Sequence, residues 1–465
     1  MPIKECRYSA IALRFGASDH TDPAFQDRRC RRVVSSHQAK RRSGAAPGCP
    51  KSLRGHKPER PETPPYGLRR GPVLYRCGVD FRIPPEYAEL QRSLVDFIER
   101  ELRPLEEAEL VPERDDLPVE LRDRVRRRAA ELGFYAADFP EDLGGSGLPQ
   151  LGMVLAREAA ARTGCRLAAF TTYGPEGPTG LLLAGTDEQK KRYLAPLITA
   201  EKSMCFALTE PDAGSDAQNI RTTAVRDGTD WIITGTKHFI TNGAHANFAL
   251  VFAVTDNEKK ASGGITAFLV DRDTPGYRVG RAQTGMVEAE GQWELIFDGC
   301  RVPEEQILGG PEAVGMGFYA AMQFLAMGRL SIAAICNGIA DFCLDLGIEH
   351  AKSRVAFGRP IGKNQYVQGH IVESLIEIKA SKLMTYECAT KYDDGEAVIQ
   401  ESSIVKLYAS EMVNRVVDRM IQIHGGMGWM RELPLERIYR LVRIFPLVEG
   451  TSEIQKHIIA RSLGL

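Results

Sequence analysis

One carboxylate, Glu449, stands in the run Leu447-Val448-Glu449-Gly450-Thr451-Ser452-Glu453-Ile454-Gln455. Ser452-x-x-Gln455 has the form of a capping box and predicts a helix start. Ile454, Ile458 and Ile459 continue it at helical spacing. The carboxylate is thereby placed on a short loop at a helix N-terminus. Its neighbour Gly450 has no side chain and lets a ligand pass close to the backbone. A fixed general base that reaches a bound substrate is the chemistry this arrangement can do. The same residues equally describe a solvated Glu that complements a helix dipole, so the rest of the chain has to decide between them.

Four further groups bear on that decision. In Phe206-Ala207-Leu208-Thr209-Glu210-Pro211-Asp212-Ala213-Gly214-Ser215-Asp216 a strand ends in Thr, and a turn of small residues offers backbone N–H groups and the Ser215 hydroxyl. Such a nest suits a flat ligand with a polar edge, and an ordinary strand-ending turn uses the same residues. In Lys237-His238-Phe239-Ile240-Thr241-Asn242-Gly243, Phe239 and Thr241 share one strand face. They can cover a ring and bond its edge, or simply belong to a half-buried hairpin. Arg354-Val355-Ala356-Phe357-Gly358-Arg359-Pro360-Ile361-Gly362-Lys363-Asn364-Gln365 reads as a basic, glycine-rich link between helices. It suits phosphate oxygens or a capped connection. Gln422-Ile423-His424-Gly425-Gly426-Met427-Gly428 implies close backbone approach to something, or a helix C-cap in which His424 is structural.

Other chemistries find less support. His370, Glu373 and Glu377 share a helix face, but in the reverse order of a di-iron Glu-x-x-His pair and without recurrence, so no metal site is expected. There is no Walker loop, and no G-x-G-x-x-G links a strand to a helix.

The composition is that of an ordinary enzyme, 43% hydrophobic and 26% charged. The net charge of −1 conceals a split: residues 1–78 hold 17 Lys and Arg against 6 Asp and Glu, a net +11, which leaves −12 for residues 79–465. An acidic body gives no reason to expect a nucleic-acid partner. Of ten cysteines, six are scattered singly through apolar segments, as suits buried free thiols in a reducing compartment. The most apolar stretch, 330–348, is interrupted at helical spacing by Asn337, Asp341 and Asp345. It reads as a buried helix with one polar edge, and no membrane span is expected.

Residues 1–78, rich in Arg, Pro, Ser and Gly and without hydrophobic period, are expected to be disordered. They read as translated upstream sequence with the true start near Val79, as a transit peptide, or as a basic tail. Residues 79–201 read as an N-terminal helical domain, with an apolar face of Tyr87, Leu90, Leu94, Phe97, Ile98 and Leu102. Residues 202–312 read as a β domain with short strands at 204–208, 231–234, 238–241, 248–255, 265–270 and 293–297. Residues 313–465 carry four helical segments, at 315–352, 365–394, 399–423 and 450–463, that fit an antiparallel bundle. The fold class is therefore α+β, in the order α, β, α.

The motifs together resemble the acyl-CoA dehydrogenase family over residues 80–465. Thr-Glu-Pro-x-Ala-Gly-Ser-Asp, Ile-Thr-Asn-Gly, Phe-Gly-x-x-Ile-x-x-x-Gln, Gly-Gly-x-Gly and Glu-Gly-Thr-Ser occur in that family's order and approximate spacing. The resemblance implies an N-terminal helical domain, a middle β-barrel-like or β-sandwich domain and a C-terminal four-helix bundle, assembled as a homotetramer or homodimer. It implies FAD, lined by Leu208, Thr209, Phe239 and Thr241 and flanked by Thr451 and Glu453. Arg354, Phe357, Gln365, Gln422, Gly425 and Gly426 would reach the FAD of an adjacent subunit. Ser215 would lie between FAD and acyl-CoA, Gly450 beside the substrate and Arg329 near the CoA moiety. The implied reaction is α,β-desaturation of an acyl-CoA thioester to the trans-2-enoyl-CoA. Glu449 takes the α-proton, hydride goes to flavin N5, and an electron-transfer flavoprotein is the acceptor. The Glu449 N–H and a flavin ribityl hydroxyl would polarise the thioester carbonyl.

Four positions depart from the family pattern. Phe239 stands where many members have Trp, and Val448 where Tyr is common. No Arg occurs in 283–293. Gly328 occupies the place where the isovaleryl and long-chain branches carry their base, which leaves Glu449 as sole base. The stretch 171–178 is expected to line the acyl end, and its bulk points to a short, branched or ring substrate. A flavin oxidase or monooxygenase on the same fold and a flavin-free assembly protein are the alternatives, and a base that is Glu rather than Asp separates the chain from the nitroalkane-oxidising branch. The expected location is the bacterial cytoplasm, or the mitochondrial matrix if 1–78 is a transit peptide.

Overall fold

The computed structural model describes residues 82–465 except 112–113, 116 and 288–290. The basic segment 1–78 and the expected start near Val79 lie outside the described residues. The first helix, α1 (Pro85–Phe97), opens on a proline, whose fixed φ suits a first turn that has no N–H partner. It buries Tyr87, Leu90, Leu94 and Phe97 and continues through a π-turn at Ile98–Leu102. Two further helices, α2 (Val119–Glu131) and α3 (Gln150–Arg162), complete the helical part used below.

Seven strands follow: β1 (Met204–Ala207), β2 (Thr223–Asp227), β3 (Asp230–Thr241), β4 (Phe248–Val254), β5 (Ile265–Asp271), β6 (Tyr277–Gln283) and β7 (Gln292–Pro303). They form one curled sheet in the order β1-β4-β2-β3-β7-β6, with β5 on the other side of β4. Every residue of β4 is buried, as expected for a strand covered on both faces. The segments expected as separate strands at 231–234 and 238–241 are the two ends of β3. Register shifts against β7, between Ile233 and Gly235 and again between Lys237 and Ile240, break its alternation and make one strand read as two. β2 and β6 were not expected. β6, Tyr-Arg-Val-Gly-Arg-Ala-Gln, lies at a sheet edge and buries only Tyr277, so no apolar period marks it.

The last part comprises α4 (Gly317–Ser353), α5 (Gln365–Asp393), α6 (Ile399–His424), α7 (Pro434–Val442) and α8 (Ser452–Ser462). α7 was not expected; only Leu435, Ile438 and Val442 mark its buried side. α4 is long and apolar enough to cross a membrane by length and composition, and half of its most apolar window is buried. α3, α5 and α6 pack around it. Its polar edge is satisfied internally: Asn337 donates to Thr385 and accepts from Ser381. All six cysteines among the described residues are free and buried.

Candidate active site

The loop between α7 and α8 carries Glu449 with φ 54° and Gly450 with φ 87°. Left-handed backbone costs a residue with a Cβ about 1–2 kcal/mol, so this conformation is held by its surroundings. The helix start differs from the expected capping box. Thr451 is the cap, its Oγ1 accepting from the Ile454 N–H at 3.4 Å. Gln455 does not reciprocate, because its Nε2 donates backwards to the carbonyls of Glu449 (2.9 Å) and Gly450 (2.8 Å). Ser452 Oγ and Gln455 Oε1 are left buried without partners.

The Glu449 side chain lies against Gly328 on α4. A Cβ on residue 328 would stand 2.6 Å from Oε2 and 3.2 Å from Oε1. Oε2 is shut off from solvent and has no hydrogen-bond partner. Desolvation pushes the Glu449 carboxyl above its usual range, and the charges of Arg329 and Lys406 pull back against that.

Arg329, only 5% exposed, places Nε 3.4 Å from the Glu449 carbonyl and Nη1 3.4 Å from Ser403 Oγ. It is therefore packed against the main chain of the base's loop, with little of it open to solvent. Lys406 on α6 is fully buried and donates to the Gly450 carbonyl at 2.8 Å. Burial lowers its pKa to about 8. Motif reading did not pick it out, although it falls on the buried stripe Ser402, Ala409, Val413 of its helix. A lysine on such a stripe is the signal that could have found it.

The ends of β1 and β3 meet in a second cluster. Thr209 accepts at its carbonyl from the His238 N–H at 2.8 Å. Lys237, fully buried, donates to the Leu208 carbonyl (3.1 Å) and to Glu210 Oε1 (2.7 Å). Glu210 also accepts from the N–H groups of Arg221 and Thr222. The turn holding Leu208, Thr209 and the exposed Ser215 is thus tied down from below. Above it, Phe239 has φ 57° and is 60% exposed, and its N–H donates to Gln283 Oε1 at 2.7 Å. The half-buried Thr241 pairs with Gln292 of β7. Phe357, in the basic link, has φ 52° and is 101% exposed. Three residues singled out from sequence therefore share a backbone conformation that bulky side chains avoid, and such strain concentrates at ligand sites.

Arg354, His424, Gly426 and His350 line a shallow cavity of about 380 Å³. The His350 and His424 rings stack at 4.3 Å, and Gln365 and Gln422 are exposed at the adjoining helix ends. Arg354 follows the last turn of α4, whereas Arg329 lies 25 residues earlier. At a rise of about 1.5 Å per residue the two are roughly 37 Å apart. The chain thus carries the expected residues in three places: around Glu449, at the ends of β1 and β3, and about Arg354 at the end of α4 away from Arg329. On the helix face shared by His370, Glu373 and Glu377, the Glu377 carboxylate accepts from Arg415 and Arg419.

Family models for the N-terminal, middle and C-terminal domains of acyl-CoA dehydrogenase match residues 84–201, 205–300 and 315–464. The mitochondrial short-chain specific acyl-CoA dehydrogenase of Mus musculus is 38% identical over 85% of this chain and 96% of its own length. Subunit CarC of the caffeyl-CoA reductase-Etf complex of Acetobacterium woodii is 37% identical over 79% of this chain and 95% of its own. A glutaryl-CoA dehydrogenase from Mycobacterium smegmatis in complex with FADH2 superposes with a TM-score of 0.73 at 26% identity, covering 82% of this chain and 95% of that one. With three domain models in order along the described chain, and a carboxylate oxygen buried without a partner just before the last helix of the third, the chain belongs to the acyl-CoA dehydrogenase family of flavin-dependent oxidoreductases.

Proposed function

We propose that this enzyme desaturates an acyl-CoA thioester between Cα and Cβ with Glu449 as the base. One observation carries the reading. Glu449 leaves a buried carboxylate oxygen without a partner, and among the described residues its N–H meets no acceptor. The pair suits a thioester, whose α-proton goes to the carboxylate while the carbonyl oxygen takes the N–H. Burial keeps the carboxylate basic enough for a carbon acid.

Leu208, Thr209, Phe239 and Thr241 would hold FAD, with Ser215 at its edge toward substrate. The exposed ring of Phe239 on strained backbone fits a planar group that covers it. When bound, FAD supplies the acceptor for the β-hydrogen, which leaves with its electron pair as the C=C bond forms. Arg354, Phe357, Gln365, Gln422, Gly425 and Gly426 lie toward the end of α4 away from Arg329. They suit a second copy's cofactor in a homo-oligomer. The exposed apolar residues Val372, Leu375, Ile376 and Leu383 of α5 suit such an assembly. Short-chain acyl and aryl-propionyl thioesters are the substrate classes supported by the named relatives, and an electron-transfer flavoprotein is the partner.

The test is Glu449→Gln in the FAD-loaded protein, mixed anaerobically with butyryl-CoA and with an aryl-propionyl-CoA. Flavin reduction should slow by about 10²–10⁴-fold, while crotonyl-CoA still perturbs the flavin spectrum. Reduction within about tenfold of wild type, a difference of roughly 1.4 kcal/mol, would remove Glu449 from the role of base.

A further inference from the structure

Two consecutive carbonyls in the loop of Glu449 are held by three side chains from three helices. The Gly450 carbonyl accepts from Lys406 Nζ and from Gln455 Nε2, each at 2.8 Å. The Glu449 carbonyl accepts from Gln455 Nε2 at 2.9 Å and faces Arg329 Nε at 3.4 Å. From this geometry we propose that Lys406 is a positioning residue for the base: with Gln455 and Arg329 it clamps the Glu449–Gly450 backbone in its left-handed turn. The proposal rests on the reading of Glu449 as base.

Lys406 is a costly choice for a merely structural part. It is fully buried, and the carbonyl of Gly450 is the acceptor its ammonium finds. An apolar side chain of similar length would fill the space without desolvating a charge. What a methionine could not do is donate to the carbonyl or act on the carboxylate. The groups that face Lys406 are Cys336 and Arg329 from α4, Glu449 from the loop and Glu453 from α8. Cys336 is itself held neutral by burial. Arg329 and Lys406 both oppose the upward push that burial exerts on Glu449. On the loop itself the Ser452 N–H donates to the Pro446 carbonyl at 2.9 Å and closes the turn, and the clamp adds holds from three helices on the residue that carries φ 54° with a Cβ.

Three variants of the FAD-loaded protein test this: Lys406→Met, Lys406→Arg and Glu449→Gln. Flavin reduction by butyryl-CoA is followed in single turnovers across pH, and crotonyl-CoA binding is read from the flavin spectrum. Lys406→Met should bind crotonyl-CoA within about threefold of wild type yet reduce its flavin about 10²-fold more slowly, the scale of a 1 Å misplacement. Its acid limb should move to higher pH, because one of two cations that favour the carboxylate is gone. Lys406→Arg should recover most of the rate and leave the limb in place. A Lys406→Met rate within about threefold of wild type with an unmoved limb overturns the proposal, as does a rate loss matched by equal loss of crotonyl-CoA binding. Should Lys406→Met fail to hold FAD, Lys406→Arg decides: an unmoved limb with a rate within about tenfold of wild type supports the assignment, and a fall of about 10²-fold overturns it. Normal reduction by Glu449→Gln would instead unseat the base, whatever Lys406 does.

Discussion

The carboxylate of Glu449 occupies the volume that a side chain on residue 328 would fill, with Oε2 2.6 Å from the place of a Cβ. Gly328 is thus the floor of the base's pocket. The obstructing atoms belong to the far end of a flexible side chain, so an added methyl group can be accommodated by turning Glu449 away. Gly328→Ala should therefore fold and keep its FAD and thermal stability, while flavin reduction slows by about 10²-fold through displacement of the base. Stopped-flow reduction beside a thermal melt checks both halves. A full-speed Gly328→Ala would show that Glu449 does not work from this position.

The burial of Glu449 also sets a pH dependence. Its carboxyl is raised from the usual value near 4.5 by desolvation, against the pull of Arg329 and Lys406. Only the deprotonated form can take a proton, so reduction should fall as pH drops through that raised value, above the range of an exposed Glu. The same shift affects folding with a fixed sign. The folded chain retains a proton that the unfolded chain has lost, so this group's contribution to stability is present below about 4.5 and is lost as pH rises through the folded value. Single-turnover rates and denaturant midpoints over pH 4–8, in wild type and Glu449→Gln, measure the two effects. An acid limb at or below the ordinary Glu range would contradict the buried base.

Much of the site was legible because its parts are local. Glu449-Gly450-Thr451, Leu208-Thr209 and Phe239-x-Thr241 each lie within three consecutive residues of one loop or strand end, so residue type and spacing report on them directly. The parts that escaped are tertiary. Lys406 meets Gly450 across 44 residues and Arg329 meets Glu449 across 120, and no local period encodes either meeting. Gly328, the place of the base in other branches, also leaves the space that the Glu449 carboxylate fills, a packing relation that no local pattern states. Gln455 was read as half of a capping box because Ser452-x-x-Gln455 has that form. Its amide is drawn instead to two carbonyls that a left-handed turn points back at it. β3 was divided for a related reason: the bulge that presents Phe239 also interrupts the alternation by which a strand is recognised.

Phe239 offers a way to separate strain from binding. Its φ of 57° sits near the end of a strand, at a register shift, with the ring 60% exposed. In the absence of cofactor the residue carries a backbone cost of about 1–2 kcal/mol and buries little apolar surface in return. Glycine at this position removes that cost, because it visits left-handed backbone freely. It also removes the ring and leaves the Gln283 bond to the main-chain N–H intact. Phe239→Gly should therefore leave the apoprotein as stable as wild type or more so, while FAD binding weakens by about tenfold or more, roughly 1.4 kcal/mol. Phe239→Trp should keep the affinity and retain the strain. Apoprotein melts and fluorescence titration with FAD give the two quantities independently. If Phe239→Gly binds FAD as tightly as wild type, the exposed ring does not cover the flavin and the strained turn needs another purpose. If the apoprotein of Phe239→Gly is clearly less stable, the ring is holding the fold together and the strain is not kept for a ligand.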